Sequence, residues 1–253
     1  MEGWIAGDLH HHSVYSSRLY GGTDPVTESP QEVCNSMMAS GLGYGALSNH
    51  HNTLNHKEWS SVQREEFLPL ISKEISTSRG HVLALMALED VIFRIPEDDE
   101  RTDTYMRNEF QRIVQQIKDL GGMPQLNHPT DRQTAISWNP EYMDIITIFE
   151  TMEIWNGSKP MIQGTSSADA VKLWIELLEK GIYLPATTGS DTHNTRCDDY
   201  EIFAAGMMKW VNEQPEELRK QWDGLLDLFI KWKNRCLGSG CVCTMVHPKD
   251  VQD

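Results

Sequence analysis

Short apolar segments that end in histidine or a carboxylate alternate along this chain with segments of helical periodicity. The first segment, GWIAGDLH, ends at Asp8 and His10. The later segments end at His50, at Glu74, at His128, and at Asp191 with His193. Strands that alternate with crossover helices form parallel sheets, and a chain of 253 residues is long enough to close such a sheet into a barrel. We therefore predict an α/β barrel.

The helical segments carry start and stop signals, and these signals fade late in the chain. In SPQEVCNSMMASG, Ser29 is a favoured N-cap, Pro30 suits the first helical position and Gly41 ends the helix. The strand and helix alternation stops after Cys197. We predict that residues 1–196 form the barrel and that residues 197–253 form a helical and loop extension packed on the same domain.

The composition excludes several classes of partner. The formal net charge of -15 argues against binding to a nucleic-acid backbone, which requires clustered lysine and arginine. A small anionic substrate stays compatible with this charge if a cation at the site reverses the local field. No apolar run is long enough to span a membrane. The first ten residues lack signal-peptide features, and five unevenly spaced cysteines suit a reducing compartment. We therefore predict a cytoplasmic protein, and the sequence does not determine its oligomeric state.

The polar residues at the strand ends predict a metal centre. The carboxyl ends of parallel barrel strands meet at one face, where active sites form. His10 and His12 are two residues apart, so on an extended segment both side chains leave the same side, with His11 opposite. Glu74 has two oxygens with which it can bridge two cations. Imidazole nitrogens mixed with carboxylate oxygens favour Mn, Zn or Fe over Ca or Mg.

Five motifs along residues 7–194 resemble, in order, those of the polymerase and histidinol phosphatase (PHP) family of metal-dependent hydrolases. They are DLHHHS, GLGYGALSNHH, SKEISTSRGHVLAL, QLNHPT and GSDTHN. The segment EIWNG is similar to the branch of that family that contains carbaryl-hydrolase-like enzymes. Asn156 in this segment either orients substrate or is a turn residue before Gly157.

The resemblance implies a distorted (β/α)7 TIM-like barrel of the PHP type that holds two or three divalent metal ions. By position, the first metal is bound by His10, His12, Glu74 and Asp191. Glu74 bridges to a second metal, which also takes His81 and His128. The ligands of a third metal, where one is present, correspond to His50 and His193. His193 alternatively contacts substrate or a water that transfers a proton.

The chain departs from the family pattern in two places. Asn49 stands where the family has an aspartate, and Arg18 stands where some members have a further histidine. Arg18 favours fewer than three metals, and it is a candidate to bind a substrate anion. An alignment without gaps from Gly41 makes His50 the ligand, whereas pairing the HNT segments makes it His51.

The predicted function is that of a metal-dependent hydrolase. Two cations bridged by Glu74 would lower the pKa of a bound water, and the resulting hydroxide would attack the substrate. Asp191 anchors the metal and accepts a proton, while His193 is the candidate general acid for the leaving group. The first choice of substrate is a small phosphoester. The alternatives are an ester, amide or carbamate on the same centre, or an inactive metal-binding regulatory module, which Asn49 favours.

Overall fold

The structure is a computed structural model that describes residues 5–22, 24, 26–94, 102–131, 136–157, 166–193, 216 and 244–246. Eight strands form one sheet with the spatial order β7-β6-β5-β4-β3-β2-β1-β8. The strands are β1 (Ile5–Asp8), β2 (Tyr44–Leu47), β3 (Leu68–Thr77), β4 (Gly80–Leu85), β5 (Met123–Asn127), β6 (Thr151–Asn156), β7 (Ala186–Gly189) and β8 (Thr244–Val246). The α-helices are α1 (Pro30–Ala39), α2 (His56–Ser61), α3 (Asp103–Asp119) and α4 (Ser166–Glu179).

Strands β1 to β7 form a nearly closed seven-stranded barrel, which confirms the predicted α/β barrel. The ends of the sheet meet just beyond β1 and β7, where the Asp191 amide donates to the His10 carbonyl at 2.7 Å. The His12 amide donates to the Thr192 carbonyl at 2.9 Å in the same place. These two hydrogen bonds join the carboxyl ends of the first and last barrel strands.

One strand runs against the expected parallel order. The pairs β1–β2, β2–β3, β5–β6 and β6–β7 are parallel, whereas β4 is antiparallel to both β3 and β5. Residues 78 and 79 alone separate β3 from β4, and a parallel connection needs a crossover of about a dozen residues or more. The short connection therefore forces a hairpin, and it puts the beginning of β4 beside the carboxyl ends of the other strands.

Helix α1 begins and ends as the sequence predicts. The Ser29 hydroxyl accepts from the Glu32 amide, and the Glu32 carboxylate accepts from the Ser29 amide, which makes a capping box with Pro30 at the first helical turn. At the other end, Gly41 has a φ of 80°, the left-handed conformation that a helix terminator requires. These features set the two ends of α1.

Ser29→Ala should lower the free energy of unfolding by about 1 kcal/mol, because it removes the oxygen that accepts from the first turn of α1. Urea denaturation followed by circular dichroism measures the change. Ser40→Ala, at the opposite end of α1, removes a hydroxyl without removing this cap and serves as the control. Equal stability of Ser29→Ala and the wild type would contradict the capping role.

The barrel is held by buried apolar clusters inside and outside the sheet. The largest cluster packs α3 against the sheet and includes Phe110, Trp138 and Tyr142, whose rings meet edge to face. A second cluster packs α1 and α2 against β2 around Trp59, which is fully buried and donates from its indole nitrogen to the Leu70 carbonyl. Both clusters hold the strands whose ends carry the polar residues.

The late part of the chain is described at residue 216 and at β8. Strand β8 pairs antiparallel with β1, so this short segment extends the sheet at its β1 edge. The helical and loop extension expected over residues 197–253 lies outside the described residues except at Glu216 and β8, and the division into 1–196 and 197–253 stays a prediction. Among the described helices, none combines the length and apolar character needed to cross a membrane.

Candidate metal centre

The structure brings the predicted ligands together at one end of the barrel. His10 and His12 follow β1, His50 follows β2, Glu74 lies in β3, His81 begins β4, His128 follows β5, and Asp191 and His193 follow β7. His81 joins them because β4 is reversed, so that its first residues pair with the last residues of β3 at Ser76. The positions are as expected, and their roles as ligands stay a proposal.

Glu74 lies at the centre of this cluster, with its side chain 1% exposed. Its two oxygens are each surrounded by imidazole nitrogens. Oε2 lies 3.3 Å from His10 Nε2, 3.4 Å from His12 Nε2 and 3.2 Å from His50 Nδ1. Oε1 lies 3.1 Å from His81 Nδ1 and 3.2 Å from His128 Nε2. Each oxygen therefore has its own set of nitrogen neighbours, which is the arrangement of a carboxylate that can bridge two cations.

Asp191 supplies the second carboxylate. Its Oδ1 lies 3.1 Å from His12 Nε2 and 3.4 Å from His10 Nε2. The backbone φ angles of Asp191 and His128 are 48° and 23°, a region that residues other than glycine rarely adopt. Strain of this kind is concentrated at functional sites, where surrounding contacts hold it. Here the Asp191 carboxylate faces His10 and His12, and the His128 ring faces Glu74.

The electrostatics of the cluster follow from burial opposed by close charges. Burial alone would raise the pKa of Glu74, but the neighbouring imidazoles of His10, His81 and His50 hold it well below its ordinary value. Burial by itself lowers the pKa of His10, and the carboxylates of Asp191, Glu74 and Glu153 outweigh it and raise that pKa well above its usual range. The Glu74 carboxyl group is therefore ionised, which is the form that binds cations.

His12 differs from His10 in its charge. Burial, followed by the nearby imidazoles of His193 and His50, holds the pKa of His12 well below its ordinary value. A neutral imidazole is the form that binds a metal ion. Buried neutral nitrogen and ionised oxygen donors that converge in this way fit divalent transition metals.

Among the residues that the structure describes, the donor atoms form four overlapping groups, and in each group all atoms lie within 4.8 Å of one another. Three of the groups share residues of the buried centre: His10, His12 and Glu74; Glu74, His81 and His128; His10, His128 and Asp191. The fourth group lies nearer the mouth and consists of His12, Asp24, His50 and His193. The buried centre thus has donor sets on both sides of Glu74.

Asp24 is a member of the cluster that the sequence did not reveal. Its Oδ2 lies 3.2 Å from His50 Nε2 and 3.5 Å from His193 Nε2. Asp24 follows two 3-10 helices, and its amide donates to the Ser16 carbonyl, which folds the loop back onto the segment that follows β1. A carboxylate in an irregular loop has no periodic signal that would single it out.

Glu153 in β6 is the second residue that the sequence did not single out. Its side chain is fully buried, and its Oε1 lies 3.1 Å from His10 Nδ1. Its Oε2 accepts from the His128 amide at 2.8 Å and from Asn156 Nδ2 at 3.0 Å. Asn156 Nδ2 also lies 3.3 Å from Asp191 Oδ2. Two side chains of the EIWNG segment, Glu153 and Asn156, therefore contact residues of the cluster.

The two departures from the family pattern have different structural settings. Asn49 is fully buried, and its Oδ1 accepts from the Ser13 amide, the Ser13 hydroxyl and the Ser16 hydroxyl, so this side chain braces the loop after β1. Arg18 lies in a 3-10 helix and is exposed, and in the described part of the chain no hydrogen bond or ion pair joins it to the clustered residues. Its anion-binding role stays a prediction.

His11 and His51 are each adjacent in sequence to a predicted ligand, but their side chains lie outside the cluster. His50 contacts Glu74 and Asp24, whereas His51 is exposed and its ring stacks near Phe93. The geometry thus favours the alignment without gaps. His11 is fully buried on the other side of its strand, and its Nδ1 lies 2.8 Å from the His12 carbonyl.

Comparisons with known proteins bear on the fold. No protein-family profile matches the chain, and no curated protein does. One similar solved structure is a Bifidobacterium adolescentis protein whose name proposes a metal-dependent phosphoesterase, with TM-score 0.54, 16% identity, and coverage of 74% of this chain and 87% of that one. Another is PsfC of Pseudomonas syringae, with TM-score 0.50, 11% identity, and coverage of 76% and 78%. At these identities the likeness shows a shared barrel fold.

Proposed function

We propose that the protein is a metal-dependent hydrolase and that its substrate is a small phosphoester. The observation that carries the proposal is the Glu74 carboxylate, whose two oxygens each face their own set of imidazole nitrogens within 3.4 Å. Burying one carboxylate together with five imidazoles is unfavourable unless the charge and the polar atoms of these groups have partners. Divalent cations satisfy all of them together.

Two cations fit the buried donor groups. One would be held by His10, His12, Asp191 and Glu74, and the other by Glu74, His81 and His128. Such ions supply Lewis acidity and lower the pKa of water toward neutrality. Mn, Zn and Fe match this mixture of nitrogen and oxygen donors. The identity of the metal and the number of ions belong to the proposal.

His193 is the candidate to donate a proton to the leaving group. Its Nδ1 donates to the Asp191 carbonyl at 2.9 Å, so its Nε2 points toward the open side of the cluster and toward Asp24. Burial lowers the pKa of His193, but the hydrogen bond to Asp24 and the Asp191 carboxylate outweigh it and raise this pKa. A protonated imidazole that is 34% exposed can reach a substrate oxygen at the mouth.

Asp191 acts on the inner side of the same pair. Its Oδ1 faces His12 and His10, and its Oδ2 is held by Asn156 Nδ2. The neighbouring imidazoles lower its pKa well below the ordinary value in spite of burial. The carboxylate therefore stays ionised, anchors a cation and accepts a proton only transiently.

Hydrolysis of an ester, amide or carbamate is the second candidate. A site that binds phosphate usually has arginine or lysine beside the metal. Within the described residues, the four donor groups contain neither, and Arg18 is exposed. The EIWNG segment, which resembles the carbaryl-hydrolase-like branch, favours the same alternative. An inactive regulatory module is less well supported, because Asn49 braces a loop and its replacement of aspartate removes none of the grouped donors.

An assay on three substrate types tests the proposal. Protein loaded with Mn²⁺ is incubated with p-nitrophenyl phosphate, bis-p-nitrophenyl phosphate and p-nitrophenyl acetate, and then again after removal of metal with a chelator. We expect phosphoester turnover that chelation abolishes and added Mn²⁺ restores, because the barrel residues alone provide no activated water. Turnover of the acetate alone would favour the carbonyl alternative. Tight binding of metal without any turnover would contradict the hydrolase and favour the regulatory module.

A further inference from the structure

Glu153 is a buried carboxylate that contacts two of the proposed ligands without belonging to any of the four donor groups. It lies in β6, which pairs with β5, the strand before His128, and with β7, whose end meets the end of β1 near His10. Its Oε1 faces the His10 ring, and its Oε2 accepts from the His128 backbone. One side chain therefore contacts one ligand from each side of Glu74.

The contact with His10 fixes which ring nitrogen carries the hydrogen. A carboxylate oxygen accepts a hydrogen bond here, so a hydrogen lies on His10 Nδ1. To bind a cation the His10 ring would give up its other proton, so that its lone pair is on Nε2, which lies 3.3 Å from Glu74 Oε2 and 3.4 Å from Asp191 Oδ1. A carboxylate behind a ligating histidine sets both its tautomer and its orientation.

The contact with His128 holds a strained backbone. His128 has a φ of 23°, and its amide donates to Glu153 Oε2 at 2.8 Å. Asn156 donates to the same oxygen and also reaches Asp191 Oδ2. The carboxylate thus contacts residues that follow β1 and β5 as well as Asn156 in its own strand, and His128 Nε2 lies 3.2 Å from Glu74 Oε1.

We propose that Glu153 is a positioning residue that holds His10 and His128 in the geometry needed to bind both divalent cations. The proposal rests on the metal-dependent function proposed above. It assigns the affinity of the centre to a side chain that touches neither the cations nor the substrate. An exposed carboxylate could not do this, because water would compete for both donors; Glu153 is fully buried.

Glu153→Gln separates positioning from packing, because the amide has nearly the same shape. It replaces one acceptor oxygen with an NH2 donor, so one of the two N–H groups loses its acceptor. If the NH2 faces His10, the ring must move its hydrogen to Nε2, the nitrogen that faces the proposed cation. If it faces His128, the strained amide is left unpaired. Both outcomes weaken cation binding.

A titration with Co²⁺, followed by visible absorption, measures this effect directly. For Glu153→Gln we expect the dissociation constant to rise about 10- to 100-fold, the range known for partners behind metal ligands, together with a changed absorption band. Glu153→Asp keeps both acceptor oxygens on a shorter side chain and should recover part of the affinity. Glu109→Gln alters another buried carboxylate, which pairs with Arg112 on α3, and should leave affinity and spectrum unchanged.

The outcomes distinguish this proposal from the one on which it rests. Wild-type protein that binds no Co²⁺ would overturn both. Wild-type protein that binds Co²⁺ while Glu153→Gln shows the same affinity and spectrum would overturn the role of Glu153 alone, even if the melting temperature falls. Should Glu153→Gln fail to fold, Glu153→Asp decides: weaker binding with a changed band supports positioning, and unchanged binding overturns it.

Discussion

Glu74→Gln should abolish the proposed binding of divalent cations and the activity proposed to depend on it. The amide keeps the shape of the side chain but loses the charge that five imidazoles face, and it offers only one oxygen in place of two. We expect turnover to fall by about a thousandfold or more, since every 1.4 kcal/mol of lost transition-state stabilisation is tenfold in rate and a catalytic cation provides several.

Elemental analysis after dialysis, together with turnover at saturating Mn²⁺, measures both effects. Glu109→Gln should keep the metal content and rate of the wild type, because Glu109 pairs with Arg112 on the outer helix α3. Glu74→Gln protein that kept its full metal content would show that the cations lie elsewhere. A folded Glu74→Gln protein that kept its metal and its turnover rate would contradict the proposed function.

Gly189→Ala is expected to damage stability and cation binding together. A methyl group at Gly189 would lie 2.3 Å from the His10 Cβ and 2.5 Å from Glu153 Oε1, both closer than real contacts allow. His10 or β7 must therefore move at the place where the barrel closes. We expect the free energy of unfolding to fall by about 1–3 kcal/mol, the usual range for an overpacked core, and the affinity for divalent cations to fall with it.

Gly45→Ala provides the matched control. Its added methyl group would meet Met37 Sδ at 2.3 Å, on the side of β2 that packs against α1 and away from the donor groups. Urea denaturation of the metal-free proteins should show both variants to be destabilised, whereas Co²⁺ titration should show weaker binding for Gly189→Ala alone. Equal affinities in the two variants would contradict the link between Gly189 and the centre.

The convergence of the ligands could be predicted because it depends on topology alone. Once apolar segments are recognised as barrel strands, residues at their ends must meet, whatever the details of packing. His10, Glu74, His128 and Asp191 are placed in this way. His81 is different, since it begins a strand, and only the resemblance to the PHP family indicated it; the reversed β4 explains its position.

The supporting residues could not be predicted, because their positions depend on packing. Glu153 lies within β6 and is the same residue type as many exposed acids, and only its contacts with His10 and His128 distinguish it. Asp24 reaches the mouth through an irregular loop whose path no periodicity determines. The antiparallel β4 was likewise hidden, although the two-residue connection before it could have indicated a hairpin.

The hydrogen bonds between the ends of β1 and β7 have a consequence for engineering the chain. His12 and His10 give and accept these bonds through their own backbone, facing Thr192 and Asp191. The segments that close the barrel between β1 and β7, here called the seam, are consequently the same segments that carry donors of the candidate metal centre. Circular permutation or a domain insertion at this seam would scatter the donors even if every strand survived, whereas the exposed turn at Gly121, at the far end of the strands, leaves them untouched.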